Sequence, residues 1–163
     1  MSHPFRIYRI LCSTPPDLEE ERLAFETALA AFSEQVTFPQ KVLFAGASFR
    51  PPFDATRHRA SAEANVRMVD FFVHIFSTTW RGGEFPAFID LAQACIAESA
   101  RPMRQIAVLF KNYGGAAQEV RSYRDTLSAR PPCDIRDFQD PVELDRVLRE
   151  IFSSWWECVQ ATP

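Results

Sequence analysis

Three short segments contain the side chains with which this chain could bind or transform a small molecule. The first, residues 13–22, carries hydroxyl groups at Ser13 and Thr14 and a carboxylate at Asp17. The second, residues 77–84, carries a hydroxyl group, an indole ring, a guanidinium and a carboxylate, at Ser77, Trp80, Arg81 and Glu84. The third, residues 90–94, opens on the carboxylate of Asp90. An indole beside a guanidinium can stack on a base or a sugar, or it can simply close a loop.

Each of these segments also has a purely structural interpretation. Ser13, Thr14 and Asp17 can cap the helix that follows them. Arg22 can pair with an acid three or four residues away on the same helix. Asp90 can be a solvated helix residue. The sequence leaves both interpretations open.

The sequence lacks the motifs that several functions of α/β domains require. Neither G-x-G-x-x-G nor G-x-x-x-x-G-K-[ST] occurs, so Rossmann-type dinucleotide-binding sites and P-loop sites are excluded. A response-regulator receiver needs acids where Cys12, Ser13 and Ser77 stand, and an FMN phosphate loop needs glycine where residues 13–17 hold two prolines. The three histidines lack metal-ligand spacing, so neither a metal nor a cofactor is expected. His74 is predicted to be a hydrogen-bonded core residue.

Apolar runs that alternate with helix-like segments give the elements that would position these side chains. The run Phe71–Phe76 is apolar almost throughout, which is typical of a central parallel strand that is buried on both faces. Helices are predicted from Leu18 to about Thr37, from about Ala55 to Val69, and at the end of the chain, where Asp140 precedes a proline. The predicted strands are Phe5–Cys12, Lys41–Ala45, Phe71–Phe76, Gln105–Phe110 and Cys133–Phe138.

This alternation predicts a single α/β domain over residues 1–163, built from right-handed βαβ units. The expected fold is a three-layer, flavodoxin-like (TIR-like) parallel sheet of about five strands in the order 2-1-3-4-5. In such a sheet, ligands bind at the carboxyl ends of the first and third strands. We therefore expect Ser13, Trp80 and Asp90 to surround one cleft.

The first segment, residues 13–22, resembles a sequence motif of a known protein family. Read as S-T-x-x-D-L-x-x-E-R, residues 13–22 resemble a motif of small bacterial domains of unknown function in the TIR-like and nucleoside 2-deoxyribosyltransferase-like superfamily. Two further features are similar: an acid, a hydrophobic run and a glycine loop over residues 70–83, and Asp90 followed four residues later by Ala94. The similarity covers roughly residues 5 to 110. Relatives with glycosidic chemistry carry Glu at the position of Asp90.

The resemblance implies a signalling or interaction domain that binds a nucleotide or NAD-like ligand and associates with copies of itself or with an effector protein. The alternative is a hydrolase or transferase that acts on the N-glycosidic bond of a nucleoside or NAD. In that alternative Asp90 is the nucleophile, Glu84 the acid, Trp80 the stacking wall and Ser13 a ribose or phosphate contact. The other expected ligand-binding residues are Thr14, Asp17, Ser77 and Arg81.

The net charge and the lengths of the apolar runs indicate which partners and which cellular compartment to expect. The formal net charge of −3 gives no electrostatic reason to expect nucleic acid or an anionic membrane. No apolar run reaches membrane-spanning length and no signal peptide is apparent, so a cytoplasmic location is expected.

The four cysteines are predicted to be buried thiols. On the last helix, Trp155 is assigned to the core, while Trp156 is expected to cover a loop or to join a homodimer contact.

Overall fold

The computed structural model describes residues 4–49, 59–130 and 132–162. Over these residues the sheet consists of β1 (Arg6–Ser13), β2 (Val42–Phe49), β3 (Phe71–Phe76), β4 (Gln105–Lys111) and β5 (Asp134–Phe138). The helices are α1 (Glu19–Phe32), α2 (Arg59–Met68), α3 (Glu84–Ala97), α4 (Gln118–Ser128) and α5 (Pro141–Ala161). All strand pairs are parallel and the order is β2-β1-β3-β4-β5, which confirms the predicted fold and topology.

Two apolar layers cover the sheet. Alternate residues of β3 enter opposite layers: Phe71 packs with α1 and α5, whereas Phe72 packs with α2, α3 and α4. Every residue of β3 is buried, as its unbroken apolar run predicts. The ring of Trp155 stacks on Phe71 with centroids 4.8 Å apart, so the assignment of Trp155 to the core is confirmed.

Strand β2 is longer than predicted. The prediction ended it at Ala45, but it continues to Phe49 because residues 46–49 pair with residues 10–13 of β1. Small residues suit this stretch, since a Cβ added at Gly46 would lie 2.5 Å from Cδ2 of Leu29 on α1. The predicted loop at residues 50–53 and the predicted start of the second helix at Ala55 lie outside the described residues.

The last helix begins as its sequence predicts. The side chain of Asp140 accepts a hydrogen bond of 2.8 Å from the backbone N–H of Glu143, and the Glu143 carboxylate accepts one of 2.8 Å from the N–H of Gln139. The first bond caps the helix, and in the second the Glu143 side chain reaches back to the residue that precedes the cap. Trp156, further along, packs edge-on against Phe44 of β2 at 6.5 Å. It therefore packs on the core above an edge strand, while the expected loop or homodimer contact of Trp156 stays a prediction. No helix among the described residues has the length and apolar character needed to cross a membrane.

Candidate functional site

The loops that follow β1 and β3 meet at the carboxyl edge of the sheet. We call the space between residues 13–17 and residues 77–84 the β1–β3 crevice. The two loops are joined directly, because Nη2 of Arg81 lies 3.1 Å from Oδ1 of Asp17. The side chains of this ion pair are 27% and 38% exposed. Two residues predicted from separate segments to bind a ligand are thus in contact.

A buried polar pair lies beneath the crevice. Ser13 and His74 are both fully buried, and Oγ of Ser13 forms a hydrogen bond of 3.0 Å with Nδ1 of His74. The imidazole also lies against the rings of Phe76 and Phe85. Burial lowers the pKa of His74 to about 3, so the ring is neutral at neutral pH. The prediction of a hydrogen-bonded core histidine is confirmed for one of its two nitrogens.

Two polar atoms of this floor lack a hydrogen-bond partner among the described residues. They are Nε2 of His74 and Oγ1 of Thr14, and the side chain of Thr14 is fully buried. Most buried polar atoms in folded proteins have a protein or water partner, so each exception calls for an explanation. Here Thr14 directly follows β1, and His74 lies within the neighbouring strand β3, opposite Ser13 in the register.

The helix-capping interpretation of Ser13, Thr14 and Asp17 is wrong. The residue at the N-cap of α1 is Leu18, and no side chain makes a cap hydrogen bond there. Strand β1 extends through Ser13, whose hydroxyl group is used by His74, while the Asp17 carboxylate turns toward Arg81. By contrast, Arg22 does pair with Glu19 and Glu26 on α1, as its spacing predicts.

The loop after β3 is held by local contacts. The hydroxyl group of Ser77 donates to the carbonyl oxygen of Thr79 and accepts from its N–H, both at 3.2 Å. The ring of Trp80 lies parallel to that of Phe76 and 5.7 Å from that of Tyr123 on α4. Trp80 therefore closes this loop onto the core, on the side of the loop that faces α4.

The two carboxylates assigned to catalysis lie in different surroundings on α3. Glu84 is in the first turn, half-buried, and burial raises its pKa. Asp90 is exposed and forms an ion pair of 2.9 Å with Arg130, which follows α4. Asp90 also helps burial to raise the pKa of Tyr123 to about 12, so it belongs with the α4 side of the helix.

The single cleft around Ser13, Trp80 and Asp90 stays a prediction, and the direct contacts of these residues fall into two groups. Trp80 and Asp90 share Tyr123 as a neighbour, whereas Ser13 contacts His74. Within the described residues no hydrogen bond, ion pair or ring contact joins Ser13 to either of them. The contact that the structure shows across the crevice is that of Asp17 with Arg81. Glu84 lies in the first turn of α3, where Arg59 of α2 acts on its pKa against the effect of burial.

Two comparisons with known proteins found no match for this chain. No model of a protein family matches it, and no curated protein does. The superfamily resemblance therefore stays a prediction.

Sequence reasoning missed a second feature of the carboxyl edge. Lys111 at the end of β4 forms an ion pair of 2.5 Å with Glu21, a mostly buried acid of α1. The pair borders a cavity of about 410 Å³ between α1 and the start of α5. In the sequence, the one local signal for this ion pair and its cavity is a lysine directly after an apolar run. Its other lining residues are Glu20, Ala24, Phe138, Gln139, Asp140, Pro141 and Leu144.

The described residues offer neither a metal centre nor an activated thiol. No three His, Cys, Asp or Glu side chains among them are grouped as a metal ion would require. Cys12 and Cys95 are buried as predicted, and burial raises both their pKa values. Cys133 and Cys158 are only half-buried, so the prediction that they are buried is wrong. Burial raises the pKa of Cys133 to about 12, which keeps it a thiol.

Proposed function

We propose that this chain is a TIR-like signalling or interaction domain that binds a nucleotide or NAD-like ligand in the β1–β3 crevice. The observation that carries the proposal is the Asp17–Arg81 ion pair, which joins two loops at the carboxyl ends of adjacent parallel strands. Ligands of open α/β sheets bind at this position. In a flavodoxin-like order it lies between the first and third strands.

The phosphate groups of such a ligand would bind at the start of α3. Arg81 supplies a guanidinium suited to phosphate oxygens, and Gly82 and Gly83 follow it. Nothing lies within 4 Å of the position that a Cβ would take at either glycine, so a ligand can approach the backbone closely. The N-cap of this 14-residue helix makes no side-chain cap bond, and its N–H groups and dipole attract anions.

The ribose would bind nearer to β1. When phosphate takes over Arg81, the carboxylate of Asp17 becomes available to accept hydrogen bonds from ribose hydroxyl groups. The unpartnered Oγ1 of Thr14 and Nε2 of His74 can complete the polar floor, directly or through a water molecule. This exchange of partners explains why a partly exposed ion pair spans the crevice.

Calorimetric titration tests the proposal. The ligands are ADP-ribose, NAD, adenosine and inorganic phosphate, and the variants are Arg81→Gln and Arg146→Gln. Arg146 is an exposed arginine of α5 that is also in ion pairs with acids, so its variant controls for loss of charge. We expect ADP-ribose to bind the wild type and the control alike, and Arg81→Gln to bind it at least about ten-fold more weakly. Absence of binding, or equal binding by both variants, would refute the proposal.

A second candidate function is cleavage of an N-glycosidic bond, and the setting of Glu84 favours it. Its raised pKa suits a carboxyl group that donates a proton to a leaving base. With a nucleoside, the bond between C1′ and the base nitrogen breaks as the carboxyl proton of Glu84 passes to the base. Water then supplies the hydroxyl group at C1′, and its other proton returns to the Glu84 carboxylate. Asp90 has no support as the nucleophile, since it is exposed and paired with Arg130.

Incubation of the protein with NAD and a panel of nucleosides, followed by chromatography for released base, tests this candidate. The expected result is release by the wild type and by Asp90→Asn, and loss of release in Glu84→Gln. No release by the wild type, or loss confined to Asp90→Asn, would eliminate the role of Glu84.

A further inference from the structure

The outer edge of β2 is unusually unprotected. Among the described residues β1 is the one strand that pairs with β2, so no strand bonds to the other side of its backbone, although the carbonyl oxygen of Phe44 accepts a hydrogen bond of 3.4 Å from the hydroxyl group of Ser33. Natural edge strands are commonly guarded by lysine, proline or an inward-pointing charge. The sequence of β2, V-L-F-A-G-A-S-F, contains none of these.

An apolar groove runs beside this edge. It encloses about 500 Å³ between α1 and β2. Its floor is formed by the buried side chains of Phe25, Leu29 and Phe44. At its amino end the rings of Phe38 and Phe5 lie 5.0 Å apart and are 54% and 47% exposed. Exposed aromatic groups gathered beside an open strand mark an interaction surface.

The charged residues that line the groove are both acids. Glu26 is held by Arg22 and by the hydroxyl group of Ser48, and Glu34 forms no ion pair within the described residues. The two acids are eight positions apart in the sequence, which corresponds to about 12 Å along a helix. Four residues of extended chain span about 13 Å. Two basic side chains four residues apart on one strand would therefore match the two acids.

We propose that the β2 edge and this groove bind an extended basic segment of a partner protein as a sixth strand of the sheet. Backbone hydrogen bonds to β2 provide the affinity, as in other cases of strand addition. An apolar side chain midway along the segment enters the groove, and the flanking lysines or arginines contact Glu26 and Glu34. The site is separate from the crevice and does not depend on the proposed function.

The acids also favour a basic partner over a second copy of this chain. A twofold pairing of two β2 edges in one continuous sheet would place both α1 helices on the same face. The acids Glu26 and Glu34 of one copy would then face the same acids of the other copy. Like charges facing each other across an interface oppose association.

Fluorescence anisotropy tests the inference with two labelled, end-capped peptides, Lys-Thr-Ile-Thr-Lys and Glu-Thr-Ile-Thr-Glu. We expect the basic peptide alone to bind, and to bind more weakly at high salt. Glu34→Lys should weaken binding by about five-fold or more, since it replaces an attraction with a repulsion. Ala30→Trp should abolish binding by filling the groove, whereas Ala94→Trp, at an exposed position of α3, should leave it unchanged.

Three results would overturn the inference. They are no binding of the basic peptide by the wild type, equal binding of the acidic peptide, and binding that survives Ala30→Trp. A concentration-dependent dimer in sedimentation that Ala30→Trp abolishes would instead assign the groove to a second copy. Titration of ADP-ribose on the same samples shows whether the crevice works independently.

Discussion

The crevice and the groove lie on either side of β1, and they differ in chemistry. The crevice, toward β3, has a floor of buried polar atoms and an ion pair across its mouth. The groove, at the β2 edge, has an apolar floor, an acidic rim and open backbone groups. A polar floor selects small ligands through a few directed contacts, whereas an apolar groove beside an open strand selects a stretch of chain.

The largest expected difference between the two regions is in stability. His74→Ala should lower the free energy of unfolding by about 3 kcal/mol or more, because it opens a cavity and leaves the Ser13 hydroxyl group buried without a partner. Ala30→Trp, at an exposed position in the groove, should change it by less than about 0.5 kcal/mol. Urea denaturation of both variants measures these values. Similar losses in the two variants would remove the distinction between a buried crevice and an open groove.

The second largest expected effect is a loss of stability in acid, through the buried His74 beneath the crevice. The pKa of His74 is about 3 in the folded chain and 6.5 ordinarily, so between these values the unfolded chain binds the extra proton. The contribution of His74 is therefore complete above about pH 6.5, and below it stability falls by up to about 1.4 kcal/mol per pH unit. Glu84 acts in the opposite sense, because its pKa is raised on folding.

The difference in unfolding free energy between the wild type and His74→Gln, measured from pH 7 to pH 4.5, isolates the histidine. We expect the wild type to lose more stability than the variant as the pH falls. Parallel curves would mean that folding does not lower the pKa of the imidazole.

Much of the fold could be predicted from sequence because its signals are local. The unbroken apolar run of β3 and the Asp140 cap are examples. The site could be predicted less well, since its contacts depend on distant partners. Asp90 meets Arg130, forty residues away, and no local pattern announces that pairing. Ser13 has the residue type of a helix cap, but the length of β1 and the burial of His74 decide its role.

The ion pair across the crevice should show a small but measurable coupling. A double-mutant cycle with Asp17→Asn and Arg81→Gln should give about 0.5–1 kcal/mol, as is usual for partly exposed pairs. The Asp90–Arg130 pair, whose side chains are 55% and 43% exposed, should give less. Thermal or urea unfolding of the wild type, the two single variants and the double variant of each cycle measures the coupling free energy. A larger coupling for Asp90–Arg130 would contradict the assignment of the crevice as the more enclosed site.

The smallest effect is expected in the groove. Glu34→Gln should change the unfolding free energy by less than about 0.5 kcal/mol, because Glu34 is exposed and unpaired in the described residues. The same variant should bind the basic peptide less well while it binds ADP-ribose normally. Weaker binding of both ligands would show that the two regions are coupled.

Mapping of ADP-ribose binding by amide chemical shifts tests the central claim most directly. A titration of the ¹⁵N-labelled chain should shift the amide signals of residues 13–18 and 77–85, and Arg81→Gln should remove these shifts at the same concentrations. Signals along β2 should stay in place. Absence of shifts, or shifts confined to the groove beside β2, would contradict a ligand site in the β1–β3 crevice.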